Sequence, residues 1–215
     1  MEGGQTNGTP PWLDWATRLQ AIAQIGLAYT RDPYDRERFE QVRAVAVEMM
    51  AAGSDASGER IAELFAGERG YATPKVDVRG VVFDDAGRLL LVREREDGRW
   101  TLPGGWADVL ESPREAVVKE VREESGFEVR PVKLLAVLDY NRQAHEPPRA
   151  VSIYKVFLRC EITGGGARAD TLETSDVGFF AEDALPPLSL SRTTPAQTRR
   201  LFEHYRRPDL PADFD

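Results

Sequence analysis

A chain of 215 residues, 41% of them apolar and 30% charged, can bury a core for one ordinary domain and a smaller companion. A net charge of −8 argues against a nonspecific binder of long nucleic acids, which needs a surplus of lysine and arginine. No apolar run nears the ~20 residues that cross a bilayer, the start Met-Glu-Gly-Gly-Gln lacks a signal-peptide pattern, and the lone Cys160 has no disulfide partner, so a cytoplasmic protein away from membranes is expected.

Residues 1–9, rich in Gly, Thr and Asn, are expected to form a disordered tail. From Pro11 to about Ala52 the pattern is helical: Trp12, Trp15, Leu19, Ile22 and Ala23 recur at spacings of three and four, as do Phe39, Val42, Val45 and Ala46. Asp32-Pro33 divides this region, with Asp32 as cap and Pro33 at the first helical position. A third helix is expected at Gly58 to Ala66, and Gly67 to Pro74 reads as a linker. After Pro74 the period changes. Val76, Val78, Val81, Val82 and Phe83, the turn Asp84-Asp85-Ala86-Gly87, and Leu89 to Val92 read as a hairpin. Strands are expected at Val132–Leu138, Ser152–Cys160 and Val177–Phe180, and helices at Pro113–Ser125 and Pro195–Tyr205. The expected organisation is a small all-helical domain over residues 10–70, then an α+β domain with a mixed sheet over residues 74–215.

The stretch LPGGWADVLESPREAVVKEVREESGFEV, Leu102 to Val129, carries the chemistry. A glycine loop leads into a helix with a Ser112/Glu115 capping box, Pro113 at its first position and Gly126 as its stop. Glu120, Glu123 and Glu124 stand at i, i+3 and i+4, so they share a face. Each like-charged pair at such spacing costs about a few tenths of a kcal/mol, a cost that a bound cation removes. The bland alternative is a solvated helix face with Lys119 and Arg122 interspersed. Two distant histidines and one cysteine leave no zinc spacing, so a metal site here would be built from oxygen ligands.

The spacing from Gly105 through Glu111, Lys119, Glu120, Glu123, Glu124 and Gly126 to Phe127 resembles the Nudix box: Gly, five residues, Glu, seven residues, Arg-Glu, apolar, any, Glu-Glu, any, Gly, apolar. Every fixed position agrees except Lys119, where the motif has arginine. The segments LDWATRLQAIAQIGLAYTRDPYDRERFE, DYNRQAHEPP, SIYKVFLRCEITGG and ETSDVGFFAEDALPPLS resemble the Nudix subgroup that acts on nucleoside diphosphates linked to X, such as CDP-choline pyrophosphatases and UDP-linked diphosphatases. The resemblance implies a Nudix α/β/α sandwich, a homodimer assembled through the helical domain, and Mg²⁺, with Mn²⁺ as a substitute. It also implies the Gly105 carbonyl, Glu120, Glu123 and Glu124 as metal ligands, and Glu123 or the loop acid Glu173 as the base for water. Glu111, Lys119 and Gly126 would support the box, with Lys119 holding a metal-binding glutamate more loosely than arginine's planar fork.

Other residues keep two readings. Arg79, Arg93, His145 and Lys155 are candidate substrate contacts; sheet-surface ion pairs account equally for the two arginines, and plain exposure for His145. Glu173 is alternatively a solvated loop acid. Trp12 and Trp15 read as core or interface, and Trp100 and Trp106 as packing or as nucleobase stackers. Rival functions are an ADP-ribose or oxidised-nucleotide pyrophosphatase and a non-catalytic Nudix-fold nucleotide-binding regulator. The presence of all three glutamates speaks against the regulator.

Overall fold

The computed structural model describes residues 10–215, so the tail expected over residues 1–9 lies outside the described residues. The chain divides into two compact units. The first comprises the residues up to Pro74 with Arg149–Ser152; the second comprises Lys75–Pro148 and Ile153–Asp215. Among the described residues no helix is long and apolar enough to cross a membrane.

The first unit is helical: α1 (Pro11–Tyr29), α2 (Pro33–Gly53) and α3 (Gly58–Gly67). The Asp32 carboxylate caps α2, accepting from the amides of Tyr34 at 2.8 Å and Asp35 at 3.0 Å. Leu13, Ala16, Ala46, Met50, Ile61 and Phe65 form its core. Ala150 packs against this core, which is why a short later segment clusters with the helices. Trp12 also packs there, but Trp15, Ile22 and Tyr29 remain exposed, seven residues apart along α1. Those positions fall on one stripe of the helix.

The second unit is a sandwich. One sheet runs β1 (Lys75–Val82), β5 (Ile153–Gly165), β4 (Phe127–Asp139), β7 (Asp213–Phe214); the other runs β3 (Trp100–Thr101), β2 (Leu89–Glu94), β6 (Thr174–Phe180). Both parallel and antiparallel pairs occur, so the sheet is mixed as expected. Alternate strand residues face opposite layers. Val78, Val82, Leu90 and Leu158 pack on Ala116, Val117 and Val121 of α4 (Pro113–Ser125). Val81, Leu89, Leu91 and Phe157 pack on Leu201 and Phe202 of α5 (Pro195–Arg206). Burial on both faces explains the unbroken apolar run Leu89 to Val92 of β2.

The hairpin expectation needs correction. The turn exists, with the Asp84 amide donating to Arg88 O at 3.0 Å, but β1 takes β5 as its partner while β2 takes β3 and β6. The two arms share only the bridge Phe83–Leu89. Alternation and a turn fix where strands lie, not which strand each one pairs with. The short strands β3 and β7, two residues each, carry too little pattern to be foreseen.

Helix α4 has both expected terminal signals. Ser112 and Glu115 form the capping box, and Gly126 ends the helix at φ +81°. A Cβ at Gly126 would also fall 2.5 Å from Gly166 O. Gly126→Ala should therefore cost more than the ~1 kcal/mol usual for a left-handed alanine; an unchanged urea midpoint would contradict this account of the helix stop.

Candidate active site

The glycine loop is zipped along the free edge of β1. Gly105 O accepts from Val78 N, Pro103 O accepts from Gly80 N, each at 2.8 Å, and Ala107 N donates to Val76 O at 3.0 Å. Gly104 sits at φ +143°, and a Cβ there would lie 2.0 Å from Val78 O, so the backbones can approach this closely only at glycine. The loop then faces α4. The Gly104 amide donates to Glu124 Oε2 at 2.8 Å, and the space a Cβ would fill at Gly105 lies 3.2 Å from Glu120 Oε2.

The three glutamates differ in surroundings. Glu124 is buried, Glu120 half-buried and Glu123 exposed, 4.0 Å from Arg122. Burial pushes the Glu124 carboxyl up to about 8, against the pull of Arg79 and the Gly104 amide. Burial and then the charge of Glu173 push Glu120 up to about 7. Two carboxyls that resist sharing negative charge at neutral pH are suited to a cation between them. Among the described residues no three carboxylate, imidazole or thiol groups stand together so as to hold a metal ion by themselves. Oxygen donors in an open shell, with room for water and phosphate oxygens, fit Mg²⁺ chemistry.

Glu173 precedes β6. It is exposed, its charge bears on Glu120 and Glu94, and its carbonyl accepts from Arg95 N at 3.0 Å. Arg95 also donates to Thr171 O and pairs with Asp170, which anchors this loop. Asp176, by contrast, lies within β6. Lys119 donates to Asp108 at 2.6 Å and lies 3.4 Å from Glu111, so its ion pairs are with loop acids, while its charge also bears on Glu120 of its own helix. Glu111 Oε2 is buried without a hydrogen bond, and its other oxygen takes the ammonium.

The candidate substrate contacts separate. Arg93 is exposed, its Nε donating to Gly98 O at 2.8 Å. Arg79 and Lys155 are buried on one carboxylate, Asp77, which the sequence reading missed. Burial alone would raise Asp77, yet the two cations hold it down at about 2. His145 is not exposed. It stacks on Tyr140 with ring centroids 4.2 Å apart, and its Nδ1 and Nε2 meet Leu190 O at 2.9 Å and the Gln197 amide at 3.1 Å. A carbonyl only accepts, so Nδ1 carries the proton and Nε2 accepts from Gln197. Trp100 packs edge-on against Phe180, whereas Trp106 is exposed. The loop Pro187–Thr194 was also missed. Thr193 Oγ1 meets Thr101 Oγ1 at 2.8 Å and Leu102 N at 3.3 Å, and Arg192 lies 3.1 Å from buried Glu94.

Residues 73–204 match the NUDIX domain. The chain belongs to the Nudix hydrolases. Residues 10–65 match the family's UDP-X-like, N-terminal oligomerisation domain. This Nudix protein is 48% identical over 204 residues to YjhB of Bacillus subtilis (strain 168), provisionally named an ADP-ribose pyrophosphatase, covering 95% of this chain and 97% of that one. A crystal structure of a UDP-X diphosphatase is similar over 95% of this chain and 98% of that chain, at 36% identity and a TM-score of 0.62. An ADP-ribose pyrophosphatase from Streptococcus suis 89-1591 is similar over 66% of this chain and 100% of that chain, at 40% identity and a TM-score of 0.59. The chain is therefore a Nudix pyrophosphohydrolase, of a family that uses divalent metals.

Acid sensitivity follows from His145. Burial, then the Lys155 charge, lowers the ring to about 4 from an ordinary 6.5. Between those values the unfolded chain holds a proton that the folded one refuses, so stability falls as pH drops through this window. The loss approaches ~3 kcal/mol at ~1.4 kcal/mol per unit. Glu120 and Glu124, raised in the fold, act in the opposite sense. The readout is thus the difference between parent and His145→Gln in urea midpoints at pH 7 and pH 4.5, and parallel profiles would contradict it.

Proposed function

We propose that this Nudix enzyme hydrolyses the phosphoanhydride bond of a nucleoside diphosphate linked to a further group X, CDP-choline-like or UDP-X-like, releasing a nucleoside monophosphate and phospho-X. The observation that carries the reaction is the closing of the glycine loop on α4, with Glu124 on the Gly104 amide and Glu120 beside Gly105. The substrate class is supported by the UDP-X-like match over residues 10–65 and by the likeness to a UDP-X diphosphatase along nearly the whole chain. A second reading, ADP-ribose as the substrate, is favoured by the names of YjhB and the Streptococcus suis protein. It breaks the same bond.

Glu120 and Glu124 would hold Mg²⁺, or Mn²⁺ in its place, with Glu123 at the exposed rim and the Gly105 carbonyl offering its remaining lone pair. A bound divalent ion supplies neutralisation of the diphosphate and a more acidic water. The chain's own groups do the rest. Glu173, whose charge already presses on Glu120, accepts the proton of the attacking water. Arg93, which is exposed, would meet phosphate. A screen of CDP-choline, UDP-sugars and ADP-ribose with Mg²⁺ tests the substrate class, and turnover of none of them would remove it. Glu173→Gln should lower kcat by about 10²–10⁴-fold, as loss of a general base does. A loss below about tenfold, short of that range, would return the base role to Glu123.

The enzyme is further proposed to be a homodimer, assembled through the stripe Trp15, Ile22 and Tyr29, exposed by 54%, 54% and 66%. Trp15→Ser with Ile22→Ser should shift the light-scattering mass from two chains to one. A parent that is already monomeric would contradict the proposal.

A further inference from the structure

Asp77 and Lys155 are register partners across β1 and β5, and Arg79 follows Asp77 by two residues, so all three side chains leave the same face of the sheet. All three are buried, with relative exposures of 6%, 1% and 4%. Arg79 donates to Asp77 Oδ1 at 2.8 Å and Oδ2 at 2.7 Å, and its third bond goes to Leu102 O at 3.1 Å. Lys155 Nζ lies 2.9 Å from Asp77 Oδ1.

The other anions that bear on Arg79 are Glu124 and Glu94. Glu94 has its own partner in Arg192, at 3.1 Å, and Glu124 accepts at 2.8 Å from the Gly104 amide of the same loop that Arg79 holds at Leu102 O. A guanidinium with Nε, Nη1 and Nη2 all committed is not a swinging arm for substrate. It is a fixed charge that grips the Leu102 carbonyl at the root of the glycine loop.

We infer that Arg79, clamped by Asp77 and Lys155, is a positioning residue that holds the Leu102–Gly105 loop and the Glu124 carboxylate in register for hydrolysis. This rests on the reading of Glu124 as part of the site. Lysine at position 79 keeps the charge but cannot form the bidentate fork, and methionine at position 155 keeps the length but loses the charge.

The full-length protein is assayed with Mg²⁺ and the best nucleotide of the screen, beside hydrogen exchange of the Leu102–Gly105 amides. Arg79→Lys should lower kcat by about 10- to 100-fold, the usual effect of losing an orienting partner, with KM within about threefold. Exchange at those amides should accelerate. Lys155→Met should act in the same direction and serves if Arg79→Lys fails to fold. In a Glu124→Gln background, Arg79→Lys should add less than about threefold, because both act through one carboxylate. A raised KM at unchanged kcat would make Arg79 a substrate ligand and overturn the inference. So would a lowered melting temperature with parent kcat, the mark of a mere brace, or fully additive losses. Parent turnover in Glu124→Gln would instead remove the reading of the glutamates on which the inference stands.

Discussion

The site depends on one buried carboxylate. Glu124 is driven toward its neutral form by burial, yet it is bound to the Gly104 amide, and that bond joins α4 to the glycine loop. The loop in turn lies on β1 through backbone bonds to Val78 and Gly80. Helix, loop and strand are thus one mechanical unit, and a change at any of them reaches the glutamates. Gly104, with Val78 O where a side chain would stand, shows how closely the parts are fitted.

Opposite charges meet through this region: Lys155 and Arg79 on Asp77, and Arg192 on Glu94, with the charge of Arg79 also bearing on Glu124. Buried ions of this kind add little net stability but tolerate few alternative arrangements. The acids Glu123 and Glu173 are left exposed to solvent.

Much of this was legible in the sequence because it is local. Helix α4 was readable to the residue from Ser112, Pro113 and Gly126, since caps and stops are short-range signals, and the i, i+3, i+4 glutamates followed from helix geometry. The layered fold followed from alternating runs together with the resemblance carried by the box. What escaped was nonlocal. Nothing near Asp77 announces Lys155, 78 residues away; only the parallel pairing of β1 with β5 brings them together. The same holds for Thr193 beneath Thr101 and for Arg192 on Glu94. His145 lies on a loop as read, but exposure remained an open alternative because its burial comes from Leu190 and Gln197, far along the chain. The ion pairs of Lys119 with Asp108 and Glu111 also depend on a loop path that spacing does not encode.

The central claim is that Glu124 and Glu120, closed over by the glycine loop, form the divalent-cation site of a pyrophosphohydrolase. The most direct test is the affinity for Mn²⁺, a paramagnetic stand-in for Mg²⁺, measured by electron paramagnetic resonance on the parent and on Glu124→Gln without substrate. The account predicts bound Mn²⁺ in the parent and an affinity lower by more than about tenfold in the variant, as expected when a charged ligand is lost from an oxygen site. Equal affinities in the two proteins would contradict it.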